Sequence, residues 1–331
     1  MLSNGYFASC SLDSTIRIWN ATSYQLINVF NSSNGGHTSL VYSILALPNG
    51  YLASASWDKT VKIWNTNNGL LVYTFDEDKG GHSDWVNALA LLSNGLLASG
   101  SFDNTIKIWN LTDFSLVITY DDSLNGHIAN VNVLQALSGG LLASGSDDTS
   151  IRIWNTTYRG DQLNKTQKGV FGTDNGGHDD WIMTFLYLNE THFASGSIDT
   201  TVKIWNYRTG KLVRILNHND SVTTMAKISN SSIAVGTYDG IISVWDINSG
   251  NLLNRFQHND NVEVLLLLSN GYLASGSFDN TVQLWDLNKN KLFRYYYGHT
   301  NYINSLLELP GQILASSSDD DKINIWKGYE Y

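Results

Sequence analysis

Short apolar runs, each closed by a polar turn, follow one another from one end of the chain to the other. The stretch after Gly81-His82 shows the phrase in full. Residues 85–92 are an apolar run with few breaks, Ser93-Asn94-Gly95 is a turn signal, and residues 96–100 are a second short run. Ser101-Phe102-Asp103-Asn104 turns the chain again, and residues 105–109 alternate with the period of two expected of a half-buried strand. Residues 115–120 supply a weaker fourth run before Gly126-His127. The pattern predicts four short antiparallel strands. Strand follows strand at about 8 to 12 residues, which leaves no room for the helices that connect parallel strands.

The phrase repeats. A histidine is followed 27 positions later by a tryptophan seven times: His37/Trp64, His82/Trp109, His127/Trp154, His178/Trp205, His218/Trp245, His258/Trp285 and His299/Trp326. From each tryptophan to the next histidine the interval varies from 13 to 24 positions. Insertions are accepted in one part of the unit and excluded from the other, as in a packed module with variable surface connections. Repetition is thus the first fact to explain. Leu-Ser-Asn-Gly or a relative marks one turn at 2–5, 47–50, 92–95, 137–140 and 268–271, where Asn-Gly supplies the positive φ of a tight hairpin. Pro48 and Pro310, the two prolines, fall in this turn and outside the predicted strands.

Gly-His at the start of a unit, Ala-Ser-Gly-Ser-x-Asp in its middle and Ile-Trp-Asn or Leu-Trp-Asp at its end resemble the WD-repeat family of β-propellers over nearly the whole chain. Five units end in Trp-Asn and the last in Trp326-Lys327, leaving Trp-Asp at Trp245-Asp246 and Trp285-Asp286. Asn217-His218 and Gln257-His258 replace Gly-His. The final motif position is a turn residue, where Asn serves as well as Asp. The resemblance implies an all-β fold, a single β-propeller domain over 1–331 with four-stranded antiparallel blades. Its repeats fall at about 1–20 (partial), 21–65, 66–110, 111–155, 156–206, 207–246, 247–286 and 287–327. Residues 1–20 hold Ser9, Asp13 and Trp19 but no histidine, so only a second and third strand are expected there. Eight blades with an incomplete first are expected, because local hairpins close at the least entropic cost. The alternative is seven blades closed by residues 25–30. Half a repeat short, the chain reads as a piece of a longer one.

Composition narrows the classes of function. A net charge of −10 argues against a nucleic-acid partner, which calls for a basic face. No stretch approaches the ~20 apolar residues needed to span a bilayer. Cys10 is the single cysteine, and the first residues carry neither a basic segment nor an apolar run, so a cytoplasmic setting is expected. Three Asn-x-Thr matches, Asn20, Asn110 and Asn155, merely follow the repeat tryptophan and read as chance.

Each unit carries the ingredients of nucleophilic catalysis, as in His82, Ser99 and Asp103. An enzyme needs one such site, whereas a repeat needs every staple, and near-identical copies favour the staple. As the family pattern implies, Asp103 holds His82 and Ser99 links it to the Trp109 indole. No catalytic residue is expected. The repeat histidines lie one per unit and cannot converge on a tetrahedral metal. His192 has no visible partner, and Asp319-Asp320-Asp321 lacks the Gly and Glu of a calcium loop. No metal or cofactor is expected.

Function is then sought at turn positions that this relay leaves free. The residue before each turn aspartate reads Leu12, Trp57, Phe102, Asp147, Ile198, Tyr238, Phe278 and Asp319. The third residue after each histidine reads Leu40, Trp85, Asn130, Trp181, Ser221, Asn261 and Tyr302. A solvated turn favours polar residues, yet aromatics crowd here. The resemblance implies that these positions contact partners at the mouth of a central channel. The candidate partner-binding residues are Trp57, Trp85, Phe102, Trp181, Tyr238, Phe278, Tyr302, Asp147 and Asp319. Connections before His82, His127 and His178 add Asp76-Glu77-Asp78, Asp121-Asp122 and Asp174, followed by Asp179-Asp180 after His178, and these suit a partner bearing Lys or Arg. The longest insertion, 156–175, carries Arg159, Lys165 and Lys168.

The expected function is a non-enzymatic protein–protein interaction scaffold or adaptor that binds peptide segments, basic ones included, on this aromatic, acidic face. No nucleic acid, membrane or small-molecule substrate is expected. One alternative is the propeller half of a larger multidomain signalling or ubiquitin-ligase adaptor. Another is a propeller enzyme or lectin, for which one unit would depart from the rest with extra carboxylates, arginines or histidines, and none does. The unit of His218 has Val235 where its neighbours have serine. An unmade buried hydrogen bond costs about 1–3 kcal/mol, so Val235→Ser is expected to raise Tm in a calorimetric scan. No gain would count against the relay.

Overall fold

In the computed structural model, residues 1–159, 162–163 and 167–327 are described, without the side chains of 158–168 and 174. The strands expected after His82 are Val86–Leu91, Leu97–Ser101, Ile106–Trp109 and Leu116–Tyr120, joined antiparallel in that order. The same sheet recurs at 6–30, 41–75, 131–171, 182–217, 222–257, 262–296 and 303–326. The fold is an all-β, eight-bladed propeller of mostly four-stranded antiparallel blades. The first and last blades have three strands each among the described residues. Leu26–Phe30 pairs with Ile16–Asn20 of its own blade, Ile16 opposite Phe30, so residues 25–30 do not close a seven-bladed alternative. The chain divides into two compact units, Met1–Gly177 with blades one to four and His178–Tyr331 with blades five to eight.

Within each unit the core lies in slabs between consecutive blades. Ala53, Ile63 and Phe75 of blade two meet Val86, Leu97 and Trp109 of blade three. In the second unit, Val244 and Phe256 of blade six meet Val262, Leu273 and Trp285 of blade seven. In blades two to seven the second strand is therefore buried along nearly its whole length, as Leu97–Ser101 shows, and reads as a continuous run of small and apolar residues. An aromatic ring at the end of the last strand of blades one, two, three, six and seven lies on the tryptophan of the next blade. Ring centroids are 4.4 Å apart for Phe30–Trp64 and Phe75–Trp109, 4.3 Å for Tyr120–Trp154, and 4.8 Å for Phe256–Trp285. Such pairs contribute about 0.5–1.5 kcal/mol beyond area burial. This coupling explains why the sequence repeat starts one strand before the sheet: the fourth strand of one blade packs with the three that follow it.

Six blades contain the complete relay. The indole N–H donates to the serine hydroxyl at 2.7–2.9 Å, as in Trp109 to Ser99 and Trp285 to Ser275. The hydroxyl lies 2.6–2.8 Å from histidine Nε2. Nδ1 lies 2.7–2.9 Å from the turn aspartate. A donor is used at every step if the imidazole is neutral with its proton on Nδ1. Burial does hold His82 below its ordinary pKa, against the opposing pull of Asp103. Burial alone would push the Asp103 carboxyl up. The hydrogen bonds from His82, Thr105 and the Ser83 N–H outweigh it and hold the group well below the usual carboxylate range.

Blade six solves the problem differently. With Val235 in place of serine, the Trp245 indole donates straight to His218 Nε2 at 3.1 Å. The atom left without a partner among the described residues is His218 Nδ1, not the indole. Asp239 turns instead to Thr237 Oγ1 at 2.6 Å and the Ile241 N–H at 3.3 Å. Burial lowers the His218 pKa to about 4.

The Gly-His dipeptide has a steric origin in four connections. Ser32–Asn34, Glu77–Lys79, Asp122–Leu124 and Thr173–Asn175 form single 3-10 turns ahead of His37, His82, His127 and His178. Each turn closes by a bond such as Gly81 N–H to Asp76 O at 2.7 Å. A Cβ on Gly81 would stand 2.4 Å from that oxygen, and Gly36, Gly126 and Gly177 are equally confined. The fourth strand Lys211–Asn217 runs directly to His218 with no such turn, and Asn217 stands in place of glycine.

Two outcomes follow from this packing. Gly81→Ala is expected to cost about 1–3 kcal/mol and lower Tm by several degrees, with unchanged stability sinking the steric reading. For His218, neither state holds the extra proton above pH 6.5, the ordinary value. Between there and its folded value near 4, only the unfolded chain gains it, so stability falls as pH falls, by roughly 3 kcal/mol in all. His218→Gln keeps an acceptor for Trp245 and should flatten that dependence. Urea midpoints at pH 7 and pH 4 would test it, and an unchanged difference between them would refute the assignment.

Candidate protein-interaction surface

In the six blades that hold it complete, the relay ties the turn between second and third strands to the loop before the first strand, at one end of the blade. That end carries both series of candidate positions, and backbone bonds join them. In the first unit, the N–H of Trp57 donates to Leu40 O, Phe102 to Trp85 O and Asp147 to Asn130 O, at 3.0, 2.8 and 3.0 Å. In the second unit, Ile198 donates to Trp181 O, Tyr238 to Ser221 O, Phe278 to Asn261 O and Asp319 to Tyr302 O, at 2.9–3.0 Å. Two positions about seventeen residues apart become one edge.

A third series was not singled out from the sequence. The first strand of each of the seven blades that begin with a histidine loop carries a bulge near its start, as between Val86 and Ala88 or Val262 and Val264. The extra residues are Tyr42, Asn87, Asn132, Met183, Thr223, Glu263 and Asn304, always five after the histidine. A bulge leaves its residue out of the ladder and re-aims the side chain. The constant offset was the available signal, but bulges have no composition that marks them.

In the first unit these side chains form a stack. Tyr42 and Trp57 centroids are 6.5 Å apart, Trp57 and Trp85 are 3.9 Å apart and within 2° of parallel, and Trp85 and Phe102 are 5.4 Å apart. The Trp57 indole donates to Asn87 Oδ1 at 3.1 Å, which fixes the stack. Tyr42 is 54% exposed and Trp85 36%, while Trp57 and Phe102 are half-buried. Asp147 is held by the amides of Asn130 and Asn132 at 2.8 and 2.6 Å. In the second unit Phe278 and Tyr302 stack at 4.2 Å, and Asn304 donates to Asp319 at 2.6 Å. Trp181 and Tyr238 are exposed and outside any ring stack among the described residues.

The acidic loops are partly committed to their own turns. Asp76 pairs with Lys79 at 2.8 Å, and Asp121 accepts the Ser123 N–H at 3.0 Å. Glu77, Asp78 and Asp122 remain exposed. The long insertion is divided by the fold. Tyr158–Arg159 and Gln162–Leu163 form a ribbon in the connection between third and fourth strands, at the end opposite the rim, and only Thr173–Asn175 lies on the rim side. The side chains of Arg159, Lys165, Lys168 and Asp174 lie outside the described residues.

The relay serines Ser54, Ser99, Ser144, Ser195, Ser275 and Ser316 are at most 1% exposed and already engaged by an indole and an imidazole. No substrate carbonyl can reach these hydroxyls. Among the described residues no group of three or more His, Cys, Asp or Glu is placed to hold a metal ion, and no helix is long and apolar enough to cross a membrane.

Comparison with known proteins agrees with this geometry. The family model "WD domain, G-beta repeat" matches residues 2–20, 25–65, 69–110, 119–155, 170–206, 210–246, 250–286 and 290–327. The chain is similar to the crystal structure of the computationally designed Ika8 protein, at 26% identity, covering 98% of this chain and 94% of that one with a TM-score of 0.82. It also resembles the WD40 beta propeller domain of Doa1, at 22% identity, covering 98% and 99% with a TM-score of 0.66, a likeness of fold alone. A search of curated proteins finds no match. WD40 propellers generally serve as protein-interaction scaffolds and are typically not enzymes. The eight matched segments cover most of the residues from 2 to 327, and the chain belongs to the WD40 repeat family.

Proposed function

We propose that this protein is a protein-interaction scaffold or adaptor that holds peptide segments of its partners on the rim built from the two turn series and the bulge residues. The observation that carries the reading is the stack Tyr42–Trp57–Trp85–Phe102, a run of aromatic side chains left partly open at a turn where polar residues would be cheapest. Aromatic anchors of this kind supply most of the energy in protein interfaces. The rings are fixed before binding by stacking and by the Asn87 bond, so little ordering cost falls on the protein. Exposed Glu77, Asp78 and Asp122 lie in loops on the same side and favour basic peptides over nucleic acid. The reading places the protein in the cytoplasm, where its lone Cys10 needs no partner.

Peptides selected by display against the wild-type chain give the test. Trp85→Ala combined with Trp181→Ala removes one exposed indole from each unit and is expected to weaken binding at least tenfold, with unchanged circular dichroism and Tm. Affinity should also fall as salt rises from about 0.05 to 0.5 M. Full binding by the double variant would move the surface elsewhere, and salt-independent binding would remove the acidic loops from it.

A further inference from the structure

One corner of the second unit is built unlike the other rim positions. Of the seven bulge residues, Glu263 alone is charged. It lies on the first strand of blade seven, packed beside the first strand of blade eight. Asn261 is 2% exposed and donates through Nδ2 to Glu263 Oε2 at 3.0 Å, while its Oδ1 is buried with no hydrogen-bond partner among the described residues. Asp319 stands close by, one oxygen held by Asn304. Burial, opposed by the Asn261 bond and reinforced by the Asp319 charge, pushes the Glu263 carboxyl above its ordinary range. Neither carboxylate is ion-paired with a lysine or arginine among the described residues. Two carboxylates and an orphaned buried carbonyl thus lie near one another with one neutral amide donor to each carboxylate, from Asn261 and Asn304, and no cation among the described residues. Such a grouping costs stability unless a cation completes it.

We propose that Asn261, Glu263 and Asp319, with Tyr302 beside them, form a receptor for one arginine side chain of a bound peptide. The inference rests on the protein-interaction reading and names the chemistry its partner must carry at this corner. A guanidinium presents five N–H donors in one plane, enough to meet Asn261 Oδ1 and both carboxylates together, and its face stacks on an aromatic ring. The Phe278–Tyr302 pair, 4.2 Å between centroids and 9° from parallel, leaves no gap between its rings. The cation therefore lies on the outer side of Tyr302, which is 41% exposed. A lysine ammonium is a compact charge and cannot reach three divergent acceptors at once.

The full chain would be titrated with acetyl-Gly-Arg-Gly-amide, its lysine and citrulline counterparts, and calcium chloride, while NMR follows the Asn261 side-chain amide. The arginine probe is expected to give a saturable shift, at least fivefold weaker with lysine and absent with citrulline. Glu263→Gln should abolish it, and Asp319→Asn, on an exposed turn, should weaken it several-fold and serves if the first variant fails to fold. No saturable shift, an undiminished shift in the variants, equal response to lysine, or a response to calcium alone would each overturn the proposal. The Trp85→Ala/Trp181→Ala chain should still take up the probe. Full binding of displayed peptides by that variant with the arginine response intact would fault the wider reading alone, whereas lost peptide binding with no arginine response even in the wild-type chain would fault this one alone.

Discussion

The chain of hydrogen bonds from indole through hydroxyl and imidazole to carboxylate is the constraint on which the rest of the structure depends. Its four groups come from the third strand, the second strand, the loop before the first strand and the turn between the second and third. The serine and imidazole are buried and the indole and carboxylate largely so, and each must find its partner in the protein or cost about what a lost hydrogen bond costs. Satisfying all four at once fixes the loop against the turn to within an atom's width. The same tryptophan then receives the aromatic ring of the preceding fourth strand, as Trp109 receives Phe75. One side chain thus closes its own blade and fastens it to its neighbour.

Because loop and turn are tied together, the residues next to the relay are held rigidly without being part of it. Trp85 and Phe102 flank His82 and Asp103 and are joined by a backbone bond, so their rings cannot wander. The bulge adds a third side chain from the first strand, and what it adds differs by blade: a ring in Tyr42, an amide in Asn87, a carboxylate in Glu263. Uniform stapling below and variety above is the arrangement expected of a surface that recognises other molecules through a rigid frame. Blade six shows how far the frame can be altered. There a direct indole-to-imidazole bond replaces the serine, and the unsatisfied atom moves to His218 Nδ1.

Buried serine, histidine and aspartate in hydrogen-bonded sequence have the same connectivity as a hydrolytic triad. Access separates the two. Ser99 already accepts the Trp109 N–H and lies at 0% exposure, so no reacting carbonyl can approach it. Connectivity alone assigns no chemistry to such a group.

The sequence by itself determined the strands, their order and the staple. The invariant spacing from His82 to Trp109 is the contour length of a loop, three strands and the two turns between them, and period-two alternation at 105–109 records burial on one side of a strand. It also marked Trp57, Trp85 and Phe102 as rings in turns. Only the tertiary structure decided which side chains meet. It assigned Leu26–Phe30 to the first blade through pairing with Ile16–Asn20, placed the paired strands Tyr158–Arg159 and Gln162–Leu163 away from the rim, and joined Trp57 to Trp85 across two blades. The bulge residues emerged there too, because a bulge is a mismatch between two strands and is written in neither one alone. Glycine before histidine was visible as a motif, but its cause, a carbonyl 2.4 Å from where a Cβ would sit, exists only once the loop is folded. Local pattern follows from a residue's own burial and backbone preference; neighbours brought from distant parts of the chain are set by packing.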